Sequence, residues 1–122
     1  MLNPHYTSFF VPANDGGYIY IASSPRTGGL LKISSSDNPF ASVEALTACA
    51  TGGNRFRMEA CFFCHRPLIA ESLIHGEFAK YRLWDSLKFF QVPLTQAVSE
   101  IEFIVGQVNY ERAASSERGL PS

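Results

Sequence analysis

Glu71, His75 and Arg82 have the types and spacing of a reacting site. In a helix of about 100° per residue, His75 lies four residues from Glu71 and Arg82 eleven, so all three fall within roughly 40° of one another. A carboxylate there can hold a hard divalent cation through oxygen, completed by water and a substrate phosphate. A histidine one turn on can relay a proton, and an arginine can grip a phosphate. The same triplet also describes a solvated helix face with an i, i+4 Glu–His hydrogen bond, and spacing alone favours that plainer reading.

A second group sits earlier in the chain. Gly16-Gly17-Tyr18-Ile19-Tyr20-Ile21-Ala22-Ser23 and Leu30-Leu31-Lys32-Ile33-Ser34 are β-prone runs around the turn residues Ser24-Pro25-Arg26-Thr27-Gly28-Gly29, which predicts a hairpin. Alternation puts Ile19, Ile21, Leu31 and Ile33 toward a core. It gathers Tyr18, Tyr20 and Lys32 on the opposite, open face. Cys61-Phe62-Phe63-Cys64-His65 invites comparison with a zinc site, with Cys49 or His75 as a fourth ligand. A strand would send Cys61 and Cys64 to opposite faces, and no second Cys-x-x-Cys follows, so structural thiols are the expectation. His5 has no companion. Arg55, Arg57 and Arg66 form a small basic cluster that reads first as a solvated strand edge and second as a phosphate contact.

The elements that must position these residues follow in order. Residues 1–15 form an N-terminal arm around Phe9-Phe10-Val11, which can seal a homodimer as readily as cap a core. Asp37 or Asn38 can cap a helix with Pro39 in its first turn, running from Phe40 to Ala50 and stopped by Thr51-Gly52-Gly53-Asn54. Phe56 to Phe63 alternates as a strand, with Phe56, Met58, Ala60 and Phe62 on one face and Arg57, Glu59 and Cys61 on the other. Pro67 to Leu83 is a helix burying Ala70, Leu73, Ile74, Phe78 and Tyr81. Phe89 to Val92 is a brief strand-like piece. Leu94, Ala97, Val98, Ile101, Ile104, Val105 and Val108 then line one face of a last helix. From Glu111 to Ser122 the composition is that of a flexible tail. The fold class is therefore α+β: a small antiparallel three-stranded sheet flanked by three helices, in one domain over 16–110.

Composition narrows the classes. With 46% hydrophobic and 17% charged residues, the 122-residue chain is of ordinary globular type. A net charge of −1 makes no general case for nucleic-acid binding, so such a surface would have to be local. No apolar run approaches the ~20 residues of a membrane span. An odd three cysteines without a secretory signal predict reduced thiols and a cytoplasmic protein.

Taken together, Tyr-Ile-Tyr-Ile, Lys32-Ile33-Ser34, Asn38-Pro39 opening a helix, Ala70-Glu71-Ser72-Leu73-Ile74-His75, Tyr81-Arg82 and Lys88-Phe89-Phe90-Gln91-Val92 resemble the GIY-YIG nuclease superfamily over residues 17–108. The likeness is to its phage and bacterial branch, whose second motif is usually Lys-Ile-Gly. The resemblance implies a Mg²⁺- or Mn²⁺-dependent fold that hydrolyses DNA phosphodiesters. It matches Tyr20 to the tyrosine of the first motif, with Tyr18 where a glycine often stands, and Lys32 to the tyrosine of the second. It matches Glu71 to the metal-binding glutamate and His75 to a histidine common in the branch. Ser34 stands in place of the second motif's glycine, and Ser42 in place of the arginine of the first helix. Losing one preorganised donor to a transition-state charge typically costs ~10²–10³ in rate. The expectation is an eroded site that binds DNA or a protein partner, with Tyr18, Arg26, Arg57 and Arg82 toward substrate. The alternatives are an active endonuclease that recruits Arg26 or Arg57, and an unrelated interaction module.

Overall fold

A computed structural model describes residues 16–49, 55–83 and 88–119. The N-terminal arm and the glycine-rich stop after the first helix lie outside the described residues. Strand β1 (Gly17–Ser23) pairs antiparallel with β2 (Leu31–Ser36), with Ile21 opposite Ile33 and Tyr20 opposite Ser34, so the hairpin forms as expected. Its tip is a 3₁₀ turn over Pro25–Thr27, closed by Gly28 at φ 62° and Gly29 at φ 90°, a backbone that side chains rarely tolerate. Helix α1 (Pro39–Cys49) starts where Asn38 Oδ1 accepts from the Ala41 N–H at 3.2 Å. Strand β3 (Arg57–Cys64) pairs with the other edge of β1. Then come α2 (Pro67–Glu77), β4 (Phe89–Phe90) and α3 (Leu94–Gly119).

The sheet has four strands in the order β3-β1-β2-β4, not three. The fourth is two residues long, too short to carry a periodic signal, and is held by pairing Leu31 with Phe90 and Lys32 with Phe89. The α+β class stands. One sheet face carries the main core: Ile19, Ile21, Leu31 and Ile33 meet Ala70 and Ile74 of α2 and Ala97, Ile101, Val105 and Val108 of α3. The apolar face of α3 is buried as its spacing predicts, with Leu94, Val98 and Ile104 packed at its rim. The backbone of α3 stays helical to Gly119, well past Glu111, where composition predicts a tail. Among the described residues, no helix is long and apolar enough to cross a membrane.

The opposite face is not open. Helix α1 lies over it, and Tyr20 and Ala22 pack with Val43, Leu46, Phe56 and Met58. Tyr18 is fully buried, its ring edge-on to Phe63 at 5.7 Å. Alternation gives the correct side for the tyrosines but not their exposure, because only the tertiary path of α1 decides what covers that side.

Strand β3 departs from simple alternation. Ile21 pairs with Ala60 but Ala22 pairs with Met58, so Glu59 is an extra residue in a β-bulge. One inserted residue reverses the faces on either side of it. Ala60 and Phe62 therefore join the main core, whereas Phe56 and Met58 join the α1 side. Cys61 lies opposite Tyr20 and Cys64 is in the main core, so the two thiols face apart. Burial pushes the Cys61 thiol up to about 12, which keeps it protonated and inert.

Helix α2 ends earlier than its pattern suggests. Phe78 caps it, and Gln91 N–H then donates to Tyr81 O at 2.8 Å while Leu83 N–H donates to Phe89 O at 3.2 Å. The chain leaves the helix because residues 81–83 must pair with β4. Ala70, Ile74 and Phe78 are buried as expected, but Leu73 is 52% exposed and Tyr81 only half-buried. Gly17 allows α2 to start close to β1; a Cβ there would lie 3.2 Å from the Pro67 ring.

Asn109 ties α3 to the end of β3. Its Nδ2 donates to Phe63 O at 3.1 Å and its Oδ1 accepts from His65 N–H at 2.9 Å. Asn109→Ala strands two backbone groups and is expected to cost about 1–3 kcal/mol, read as a lower midpoint in urea. An unchanged midpoint would show that water replaces both bonds.

Candidate functional site

The site forms where β4 stops. In an antiparallel strand the N–H and C=O of one residue point to the same side. Ile33 N–H donates to Lys88 O at 3.0 Å, closing the ladder, so Ile33 C=O also faces outward and accepts from His75 Nε2 at 2.8 Å. Nε2 therefore carries the proton. Past Ile33 stand Ser34, Ser35 and Ser36, and α2 lays Glu71 against them.

Glu71 is buried at 8% exposure, not on an exposed stripe as the helical wheel suggests. Its Oε1 accepts from Ser35 Oγ at 2.5 Å. Its Oε2 meets the Lys88 ammonium at 3.2 Å and lies 3.8 Å from His75 Nε2. Lys88 Nζ also donates to Ser34 Oγ at 3.1 Å, and Ser34 in turn hydrogen-bonds Tyr20. The expected i, i+4 neighbours Glu71 and His75 thus do meet, but the histidine's proton is committed to the sheet edge.

The electrostatics follow from burial and these partners. Burial pushes the Glu71 carboxyl up, but the Ser35 hydrogen bond, Lys88 and His75 outweigh it and hold the group below its ordinary value. Burial raises Tyr20; Ser34 partly offsets this and the Glu71 charge adds to it, so the phenol stays protonated. Burial and the neighbouring Lys88 ammonium lower Lys32, with Glu71 opposing them. Lys32 also lies over the Phe89 ring, 5.3 Å from its centroid. Tyr20, Lys32 and Lys88 thus share one electrostatic neighbourhood with Glu71.

Because the folded Glu71 carboxyl lies below its unfolded value of about 4.3, its stabilisation is complete above that pH. It is lost as the pH falls through the folded value. Stability followed by circular dichroism during acidification should therefore show a larger loss in wild type than in Glu71→Gln, where Glu59, also held below its ordinary value by its Ser23 hydrogen bond, still titrates. Parallel acid profiles would mean that the carboxylate is not held ionised by its neighbours.

The other sequence candidates lie elsewhere. Arg26 is exposed on the hairpin tip. Arg57 pairs with Glu59 at 2.9 Å and stands opposite Ser23, three residues or about 10 Å along β1 from Tyr20. Neither joins the Glu71 cluster. Arg82 follows a 3₁₀ turn rather than continuing α2. It donates from Nη2 to His75 O at 3.2 Å and stacks on Phe90, its guanidinium carbon 5.5 Å from the centroid. It caps the negative end of α2 rather than facing the carboxylate. Tyr18 is fully buried against Phe63. Ser42 turns its hydroxyl to Ser36 Oγ at 2.6 Å.

Two residues of the cluster, Lys88 and Ser35, were not among the candidates that the sequence singles out, although Lys88 opens one of the motifs of the resemblance. Lys88 stands alone before β4, and Ser35 belongs to a serine run that looks like a loop. Neither has a periodic partner, and only the fold brings them to Glu71.

The sheet edge thus gathers a buried carboxylate, two ammonium groups, serine hydroxyls and a tyrosine on an α+β scaffold. Residues 17–105 match the T5orf172 domain, and the chain belongs to that family, a phage-associated domain related to nuclease-like folds. Neither a curated protein nor a solved structure is found to match it.

Proposed function

We propose that this chain is a degenerate GIY-YIG-like nuclease domain that binds DNA through its phosphodiester backbone and cleaves it weakly or not at all. The carrying observation is the hydroxyl pair Ser36–Ser42, 2.6 Å apart, at the point of α1 where the resemblance expects a guanidinium. Arg26, Arg57 and Arg82 are held elsewhere and do not compensate. Lys32 and Lys88, both partly exposed, supply the local positive charge that the chain's net −1 lacks. The Glu71 carboxylate, bonded to Ser35 and Lys88, orients both groups.

The test pairs cleavage of supercoiled plasmid, in Mg²⁺ or Mn²⁺, with binding of a labelled DNA duplex by anisotropy. The expected result is saturable, salt-sensitive binding with no nicking above buffer. Nicking that disappears both in Glu71→Ala and with a chelator would establish an active endonuclease instead. Absence of DNA binding with the protein folded would turn the search to a protein partner.

A further inference from the structure

The resemblance calls for a divalent cation at Glu71, and the groups around that carboxylate do not suit one. A hard cation needs oxygen acceptors converging on it. Here the carboxylate is met by donors: the Ser35 hydroxyl on Oε1, and the Lys88 ammonium on Oε2 at 3.2 Å. His75 cannot ligate through the nitrogen nearest the carboxylate, because Nε2 donates its proton to Ile33 O at 2.8 Å.

We infer that the Lys88 ammonium occupies the place a divalent cation would take at Glu71, making this a metal-independent binding site for a phosphodiester. The ammonium bridges Glu71 Oε2 and Ser34 Oγ, using two of its three N–H donors and leaving one for an incoming oxygen. Its side chain is 41% exposed, whereas that of Glu71 is 11% exposed. The anion therefore reaches the lysine and not the carboxylate. Lys32 adds a second ammonium close enough for the two to repel, a strain that a bound phosphate relieves. A divalent ion would instead place more positive charge beside Lys88. Glu71 acts here as a positioning residue that holds Lys88 toward the sheet edge. Identifying the anion as DNA rests on the function proposed above; the exclusion of metal does not.

The experiment titrates MnCl₂ alone by calorimetry into wild type, Glu71→Gln, Lys88→Met, Lys88→Arg and Lys88→Met/Glu71→Gln. The same proteins are assayed for DNA-duplex binding in Mg²⁺ and in EDTA. Wild type and Lys88→Arg are expected to show no saturable Mn²⁺ heat and the same DNA affinity in both buffers. Lys88→Met is expected to gain a Mn²⁺ site that the double variant loses, and to bind DNA about tenfold better with Mg²⁺ than with EDTA. Mn²⁺ binding by wild type overturns the inference if Glu71→Gln abolishes it. A folded Lys88→Met that stays as indifferent to metal as wild type also overturns it. Should Lys88→Met not fold, Mn²⁺ binding by Lys88→Arg overturns the inference and its absence supports it. Metal indifference together with no DNA affinity in any buffer would leave the metal exclusion standing and refute the DNA assignment alone.

Discussion

Ser42→Arg combined with Lys88→Met is expected to raise Mg²⁺-dependent plasmid nicking by ~10²–10³ over wild type, the effect typical of one preorganised donor to transition-state charge. The two substitutions act on different groups. Lys88→Met frees Glu71 Oε2 of its ammonium partner at 3.2 Å, and Ser42→Arg replaces the hydroxyl now bonded to Ser36 with a guanidinium. Ser42 lies on the sheet face of α1 and is half-buried, while the Asn38 cap that starts the helix is untouched. Either change alone leaves one requirement unmet, so the gain should be strongly non-additive. Initial nicking rates of all four proteins, with Glu71→Ala added to the double variant as a control, measure it. A folded double variant no faster than wild type would show that Ser42 does not stand where the resemblance expects an arginine.

The largest expected loss of stability is at Phe90. This side chain is fully buried, with ring contacts to Phe78 at 6.3 Å and His75 at 5.0 Å, and it carries the Arg82 guanidinium on its face. Its backbone pairs with Leu31 and completes the sheet. Phe90→Ala should cost about 3–5 kcal/mol, since the lining elements α2 and β2 are too constrained to close the cavity. That is a large part of the 5–15 kcal/mol typical of a domain, and should lower the thermal midpoint by about 10–20 °C. The functional consequence is specific: His75 loses its aromatic support, and Lys88, two residues away, loses its anchor. DNA affinity should therefore fall in Phe90→Ala even below its melting temperature. A midpoint within a few degrees of wild type would show that β4 is not integral to the core.

Short-range residue patterns account for the local elements of this protein. The hairpin follows from two β-prone runs around a glycine turn, α1 from Asn38-Pro39, and α3 from an apolar spacing that recurs over four turns. Each signal lies within a dozen or so residues, where backbone geometry imposes a period that side-chain type can reveal. Tyr20, Lys32, Glu71 and His75 were legible as polar residues of suitable type, and the fold does bring them into one neighbourhood. What surrounds them was not legible. Glu59 shows why: a single unpaired residue reverses a strand's faces and leaves no mark in composition. Arg82 leaves the helical stripe because pairing with β4 outweighs continuation of α2. Tyr20 is covered because α1 crosses its face. Lys88 reaches Glu71 only because the pairing of the two-residue β4 stops beside Ile33, whose N–H donates to Lys88 O and whose carbonyl is left to His75. These outcomes depend on contacts between residues far apart in the chain, whose free energies exceed local preference.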